Sequence, residues 1–195
     1  MKIKNILYIL LISIFLNGCI SVTKELPAFT TYTIKTDKNI QKNKNLPYSL
    51  EIKEPKALSS INSKQISYLA KDNISEKYAL SKWSDSPTKL IQKAIVDYLS
   101  STNNYAYVNS SNINVRSDYK IVSQLDNFNQ YIKDNESFVQ LSIKIYLKKD
   151  GEVFFKNFTY EKKSNNNAKQ SVNNLNILVN KFVSDLDTWL LSKIN

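Results

Sequence analysis

The side chains that most often perform catalysis near neutral pH are almost missing from this sequence of 195 residues. It contains no histidine and a single cysteine, Cys19. Ser-His-Asp and Cys-His catalysis, zinc sites built on histidine or cysteine, and a histidine general base are therefore excluded. The only two glycines, Gly18 and Gly151, lie far apart, so the chain has neither a P-loop nor a glycine-rich dinucleotide-binding loop.

Carboxylates are the remaining groups that could support acid–base chemistry, and two pairs stand at short spacing. Asp185 and Asp187 lie two positions apart in a predicted helix, where they point to different sides, so we interpret them as solvated charges. Asp134 and Glu136 lie beside Lys133 in a predicted loop, which favours an ordinary surface. The sequence therefore predicts no catalytic residue, no metal ligand and no dissociable cofactor, in a protein that is not an enzyme.

The chain is strongly basic. Its 27 lysine and arginine residues face 17 acidic residues, which gives a formal charge of +10 at neutral pH. Such an excess suits nucleic acid or anionic lipid head groups. Arg116 is the sole arginine, however, and recognition of bases and phosphates relies heavily on the guanidinium fork. A solvated, lysine-rich surface is the preferred interpretation, and no nucleic-acid partner is predicted.

Residues 1–18 have the form of an export signal. Two lysines precede eleven apolar or small residues from Ile6 to Leu16. That run is too short for a membrane-spanning helix of about 20 residues but is typical of a signal-peptide core. It ends in Leu-Asn-Gly-Cys at 16–19, which resembles the lipobox of bacterial lipoproteins. The alternatives are a transmembrane anchor, or an ordinary signal peptide followed by a chance cysteine.

The lipobox resemblance implies cleavage between Gly18 and Cys19 after the thiol has been acylated. Cys19 would then begin the mature protein and carry a covalent diacylglycerol and an N-acyl chain. No other cysteine remains, so we predict no disulfide in the folded part. Ile20 stands where an aspartate would retain an enteric lipoprotein at the inner membrane. This position favours the outer membrane, with the domain facing the periplasm.

Behind the anchor, the chain divides into a short tether and one domain. Residues 19–31 are interpreted as the lipidated N-terminus and tether, and residues 32–195 as a single α/β auxiliary domain. Apolar residues at helical spacing predict one helix that begins at Pro87 and ends near Ser101, and a longer one over 172–194.

Alternating apolar and polar residues predict the strands. In chain order these are short strands at 32–34, 48–52, 65–69 and 105–108, a longer strand at 119–131, and a hairpin with strands at 139–147 and 153–162. Asp150-Gly151 predicts the turn of the hairpin, because Asp-Gly between alternating runs is a strong hairpin signal. Together the elements predict an α+β fold, with a mostly antiparallel sheet and two main helices packed on one face.

One arrangement of aromatic residues is similar to that of a known family. Its members in chain order are Ile66-Ser67-Tyr68, Tyr78, Lys82-Trp83-Ser84, Pro87 with the first helix, a strand that starts at 117–119, and Trp189 in the last helix. This order resembles the auxiliary lipoproteins of ABC-type transport systems, the paraquat-inducible protein C-like group, over about residues 30–192. Lys82 and Ser84 stand where that family commonly has arginine and alanine.

The resemblance implies a non-catalytic component of an intermembrane lipid transport system, anchored in outer-membrane lipid. Its implied partners are a mammalian-cell-entry-domain protein, which bridges the periplasm, and an ABC permease and ATPase. Tyr68, Tyr78 and Trp83 are candidate contacts with a partner or lipid, whereas packing at the sheet edge is the simpler interpretation of Tyr78 and Trp83. The alternative is an outer-membrane assembly or surface interaction lipoprotein unrelated to ABC transport, and the sequence leaves a homo-oligomer open.

Overall fold

The structure is a computed structural model that describes residues 27–37, 44–70, 74–111 and 115–194. Its elements are the strands β1 (Thr30–Tyr32), β2 (Leu46–Ile52), β3 (Gln65–Leu69), β4 (Ser75–Trp83), β5 (Tyr105–Ser110), β6 (Tyr119–Lys133), β7 (Glu136–Lys149) and β8 (Glu152–Ser164), and the helices α1 (Pro87–Ser101) and α2 (Ala168–Leu191). The predicted signal peptide, Cys19 and most of the predicted tether lie outside the described residues.

A meander of three long strands forms one side of the sheet, with β8 at the edge. β6 pairs antiparallel with β7 over nearly its whole length, and β7 pairs in the same way with β8. The connecting turns have positive φ angles at both central residues, 51° and 61° at Asp134 and Asn135, 47° and 91° at Asp150 and Gly151. Such angles match the twist of a two-residue hairpin. The hairpin predicted at Asp150-Gly151 is confirmed, and Asp134-Asn135 forms a second one.

The other edge of β6 is shared by two parallel strands, so the sheet, which has eight strands within the described residues, is mixed and not mostly antiparallel as predicted. β2 pairs with the start of β6 and β3 with its end. β2 is also parallel to β5, and β1 to β4, whereas β3 and β4 form an antiparallel hairpin. Hairpins leave local turn signals, but parallel pairing depends on crossover connections between distant segments. The α+β class is correct, and the strand directions are the part that differs.

The sequence pattern predicts no strand where β4 lies. Most side chains of β4 are exposed, and the strand ends in the buried Trp83. A strand with mostly solvent-facing side chains lacks the alternation that identifies half-buried strands. β1 is confirmed as a first short strand, although it lies two residues earlier than predicted, at Thr30–Tyr32.

Both helices pack on one face of the sheet. α1 contacts β2 and β5, α2 contacts all three strands of the meander, and the helices contact each other. The side chains of β7 that face the helices are fully buried: Val139, Leu141, Ile143, Ile145 and Leu147. Phe182 lies fully buried in the middle of α2 and meets Phe158 of β8 edge to face, with ring centroids 5.4 Å apart. The core therefore lies between the two helices and the sheet, and it includes Ile91 and Ile95 of α1 and Leu50 and Ile52 of β2.

Residues 33–37, called the strap below, are held on α2 by two asparagines. Asn176 Oδ1 accepts a hydrogen bond from the N–H of Lys35 at 3.0 Å, and Asn180 Oδ1 accepts one from the N–H of Asp37 at 2.8 Å. Asn180 Nδ2 also donates to the carbonyl of Lys35 at 3.0 Å. Side chains four residues apart lie on the same side of a helix, so the two amides bind the extended backbone much as a neighbouring strand would.

Candidate functional site

The three aromatic residues selected from the sequence lie along the β3–β4 hairpin, but in different environments. Trp83 is buried, and its ring packs on Phe128 with centroids 5.3 Å apart. Its backbone is paired with Tyr32 of β1. Core packing therefore accounts for Trp83, whose indole is shielded from solvent in this fold.

Tyr78 belongs to a polar cluster between the hairpin, the meander and the start of α2. Its hydroxyl donates to Gln130 Oε1 at 2.6 Å, and Ser171 Oγ donates to the same oxygen at 2.5 Å. Gln130 is buried, and its amide donates to Ser137. Burial raises the pKa of the Tyr78 hydroxyl. Since buried polar groups are costly unless they are paired, this cluster ties the hairpin to α2 and gives Tyr78 a structural role.

Tyr68, like Tyr78, is partly exposed, and its hydroxyl lies outside the Gln130 cluster. Its ring packs on that of Tyr78 with centroids 5.0 Å apart, and its hydroxyl donates to Glu76 on the same hairpin. The hydrogen bond to this carboxylate raises the pKa of the Tyr68 hydroxyl. A neutral, amphipathic ring at an exposed hairpin can contact lipid head groups or a protein surface. A contact role for Tyr68 therefore remains a prediction that its position allows.

The acidic pair on α2 consists of one buried and one partly exposed residue, so the prediction of two solvated charges is wrong for Asp187. Asp187 is only 7% exposed. The hydroxyl of Tyr105 donates to its Oδ1 at 2.8 Å, and Asn104 Nδ2 donates to its Oδ2 at 3.0 Å. Asp185 lies at the protein surface and accepts a hydrogen bond from Tyr160 at 2.8 Å. The buried carboxyl thus ties the last turns of α2 to the start of β5.

Burial raises the pKa of the Asp187 carboxyl, and its hydrogen bonds to Tyr105 and Asn104 act in the opposite direction. A carboxyl with a higher pKa in the folded state than in the unfolded state is stabilised by the fold in its protonated form. Its contribution to stability is complete below the unfolded-state pKa of about 3.9. That contribution is lost as the pH rises through the folded-state pKa.

Replacement of Asp187 by asparagine is expected to remove this pH dependence. The amide can accept a hydrogen bond from Asn104 and donate one to the Tyr105 oxygen, so the packing is retained. Unfolding in urea between about pH 4 and about pH 8 should show the wild type losing stability relative to Asp187→Asn as the pH rises. Asp97→Asn, on the exposed side of α1, controls for loss of a carboxylate. The raised pKa assigned to Asp187 would be contradicted if the difference in free energy of unfolding between the two proteins did not change with pH. It would also be contradicted if the wild type became relatively more stable as the pH rose.

The second acidic pair lies at the turn between β6 and β7. Asp134 occupies one of its two positions with positive φ, and Glu136, the first residue of β7, forms an exposed ion pair with Lys163. Within the part of the chain that the structure describes, no group of three or more acidic, histidine or cysteine side chains could hold a metal ion. The contacts of this pair are those of a turn and a surface ion pair.

A groove runs between α2 and the free edge of β8. β8 pairs only with β7, so its other edge has no strand partner among the described residues. Phe158 and Trp189 meet edge to face on the floor of the groove, with centroids 6.2 Å apart. An unpaired strand edge beside an apolar floor can accept an added strand from a partner. The groove has a volume of about 420 Å³ and is lined by Lys156, Asn157, Phe158, Thr159 and Tyr160 of β8 and by Asp185, Thr188, Trp189 and Ser192 of α2.

Charged side chains stand at both ends of this groove. Lys156 Nζ lies 4.9 Å from the centroid of the Phe158 ring. At the other end Asp185 accepts hydrogen bonds from the Tyr160 hydroxyl at 2.8 Å and from Lys181 Nζ at 3.1 Å. Burial and the hydrogen bond to Asp185 raise the pKa of the Tyr160 hydroxyl. Lysines on an edge strand discourage uncontrolled strand pairing, so this edge is protected without being closed.

The described residues thus form an α+β body with three surfaces that could accept a partner: a free strand edge, a groove and an exposed hairpin. None of the described helices is long and apolar enough to cross a membrane. An edge strand, β1, connects this body to the chain that precedes residue 27.

The chain belongs to the family of ABC-type transport auxiliary lipoprotein components, whose model matches residues 32–186. This match confirms the resemblance drawn from the aromatic residues. Among solved structures, the chain is similar to a protein from Xanthomonas campestris, with a TM-score of 0.73, 18% identity, and coverage of 83% of this chain and 95% of that one. A second crystal structure, of an uncharacterized protein, has a TM-score of 0.68, 13% identity, and coverage of 84% and 99%. At these identities the two structures show the fold alone, and no curated protein matches the sequence.

Proposed function

We propose that this protein is a non-catalytic, lipid-anchored component of an ABC-type intermembrane lipid transport system, and that it docks a mammalian-cell-entry-domain bridge at the outer membrane. The observation that carries the proposal is the family match over 32–186, behind the lipobox at 16–19. Family membership accounts for the lipoprotein and the transport system. The proposal goes beyond family membership in three respects: the lipid cargo, the bridging partner and the outer membrane. The outer membrane is proposed because Ile20, and not aspartate, follows Cys19.

The anchor would be Cys19. A diacylglycerol and an N-acyl chain exceed the two signals needed for stable attachment, at about 0.8 kcal/mol per buried methylene. Phe29 lies ten positions after Cys19, and even a fully extended chain of that length spans at most about 36 Å. The domain would therefore stay close to the outer membrane, where the far end of a periplasmic bridge has to be received.

The groove beside β8 suits the docking of such a bridge. A strand of the partner could pair with the free edge, where main-chain hydrogen bonds give affinity and the floor at Phe158 and Trp189 accepts side chains. Within the sheet, β8 is separated from the anchor-side strand β4 by β3, β6 and β7. This arrangement allows the domain to contact the membrane through one edge and its partner through the other.

Site-specific photocrosslinking in cells tests the proposed docking. A photoreactive residue at Asn157 or Thr188, which both line the groove, is expected to link the full-length lipoprotein to the mammalian-cell-entry-domain protein. The same residue at Lys93, which is exposed on α1 and does not line the groove, is the matched control and should give no such product. Mass spectrometry of the crosslinked products identifies the partner.

Equal crosslinking from the groove and from Lys93 would contradict docking at β8. Absence of the mammalian-cell-entry-domain protein from both the crosslinked and the co-purified material would contradict the proposed function. A groove product with an outer-membrane assembly protein would instead favour the interaction lipoprotein that the sequence left as the alternative.

A further inference from the structure

Three large apolar side chains are exposed along the edge of the sheet where the described chain begins. Phe29 is 51% exposed, Leu80 is 44% and Ile74 is 57%. β1 and β4 pair in parallel with Thr30 opposite Ser81, so the residues that precede these two, Phe29 and Leu80, are neighbours. Ile74 lies directly before β4 on the same hairpin. The three exposed residues are called the edge patch below: Phe29 and Leu80 lie side by side, and Ile74 precedes Leu80 by six positions in the same edge hairpin.

Lysines accompany the edge patch. Lys82 Nζ lies 5.2 Å from the centroid of the Phe29 ring, and Lys77 is exposed within β4. Neither lysine forms an ion pair with a carboxylate of the described residues. The acidic residue of this strand, Glu76, accepts a hydrogen bond from the Tyr68 hydroxyl. Apolar side chains flanked by unpaired lysines are the composition of a surface that lies in the head-group region of an anionic membrane.

We propose that the edge patch rests on the bilayer that holds Cys19, with its apolar side chains at the head group–acyl boundary and Lys77 and Lys82 on anionic head groups. The inference rests on the proposed function, because it requires the lipid anchor. Phe29 lies ten positions after Cys19 and is therefore within about 36 Å of that anchor, which keeps the bilayer within reach of the patch. Membrane contact through this edge orients the domain and leaves the free edge of β8 directed away from the bilayer.

Depth-dependent fluorescence quenching of the full-length, lipidated protein in vesicles tests the orientation. The variants Phe29→Trp and Leu80→Trp place a reporter in the edge patch. Phe155→Trp is the matched control, because Phe155 is 54% exposed but lies on β8, four strand spacings or about 19 Å across the sheet from β4. The vesicles contain phosphatidylcholine and phosphatidylglycerol, with or without bromine on the acyl chains.

The two reporters in the edge patch are expected to lose about half of their emission in brominated vesicles, since side chains at the head group–acyl boundary lie roughly 5–10 Å deep. The signal of the wild type, which contains Trp83 and Trp189, is subtracted. The emission of Phe155→Trp should be unchanged by bromine. Thermal unfolding of each variant checks that the exposed substitutions leave the fold intact.

The lysines are tested in the Phe29→Trp background. Lys77→Glu combined with Lys82→Glu should weaken quenching in vesicles that contain phosphatidylglycerol and have little effect in vesicles of phosphatidylcholine alone, because attraction to anionic lipid is the interaction removed. The same loss of quenching in both kinds of vesicle would overturn the assignment of these lysines to anionic head groups.

Failure of this inference can be separated from failure of the anchor. Protein that floats with the vesicles but shows no quenching at Phe29→Trp and Leu80→Trp, or equal quenching at Phe155→Trp, overturns the edge patch as a membrane contact and leaves the anchor standing. Wild-type protein that does not float with the vesicles overturns the lipid anchor, and with it both the patch and the proposed function.

Discussion

Replacement of Cys19 by alanine is expected to abolish the incorporation of labelled palmitate and to deplete the protein from the membrane fraction. This thiol is the only one in the chain, so no other residue can take the thioether-linked diacylglycerol. One acyl chain gives only marginal membrane binding, with an association constant of about 10⁴ M⁻¹, whereas two or more make attachment stable. The variant loses all of them. Metabolic labelling followed by membrane fractionation measures both effects.

Ile20→Ala is the matched control, because it changes the neighbouring residue and leaves the thiol in place. It should incorporate label and fractionate like the wild type. Mass spectrometry of the N-terminus separates the processed form, which begins at Cys19, from a precursor that retains residues 1–18. Cys19→Ala protein that is labelled as strongly as the wild type would show that the lipoprotein assignment of this residue is wrong.

The largest effect on folding is expected from Phe182→Ala. Phe182 is fully buried in α2 and packs edge to face on Phe158 of the meander. Truncation of a buried phenylalanine costs about 3–5 kcal/mol, because contacts are lost and a cavity remains. That cost is a large part of the roughly 5–15 kcal/mol that stabilises a typical folded domain. The midpoint of urea unfolding should fall markedly, and Tm by about 10 °C.

Ile177→Ala is the control for this substitution, because it also removes a large apolar side chain from α2, but from an exposed position. Ile177 is about half exposed, so its replacement should change the free energy of unfolding by no more than about 0.5 kcal/mol. A loss below about 1 kcal/mol for Phe182→Ala would place Phe182 outside the tightly packed core.

The helices and the meander could be predicted because their signals are local. In α2 the apolar residues recur at helical spacing, and Asn167 begins the helix by accepting a hydrogen bond from the N–H of Gln170 at 2.9 Å. Asp150 and Gly151 supply the φ angles that a two-residue turn needs. Each of these features involves residues within a few positions of one another, so a single sequence contains the necessary information.

Asp187 illustrates why the buried polar contacts could not be predicted in the same way. The helical spacing correctly places Asp185 and Asp187 on different sides of α2. Which of those sides is covered depends on Asn104 and Tyr105, which lie more than 80 positions earlier in the chain. The parallel pairings of β6 have the same origin, because they depend on connections between distant segments.

The aromatic motif identified the family, but it was a poor guide to which side chains are exposed for contact with a partner or lipid. Of Tyr68, Tyr78 and Trp83, Trp83 lies in the core, and Tyr78 is bonded within the Gln130 cluster. The exposed apolar side chains of the edge patch carry no motif and stand out only because tertiary packing leaves them uncovered. Cys19 lies outside the described residues, so its role as the anchor rests on the sequence.

The position of β1 determines where a mechanical load from the membrane would enter the domain. β1 is the first described strand, and three residue pairs join it to β4. A pull along the strand axis loads those pairs in shear, so they share the force and do not break one after another. Behind β1 the strap is held by Asn176 and Asn180, and the buried core begins only at β2. Tension on the lipid anchor would therefore detach β1 and the strap from the domain before the force acted on the core.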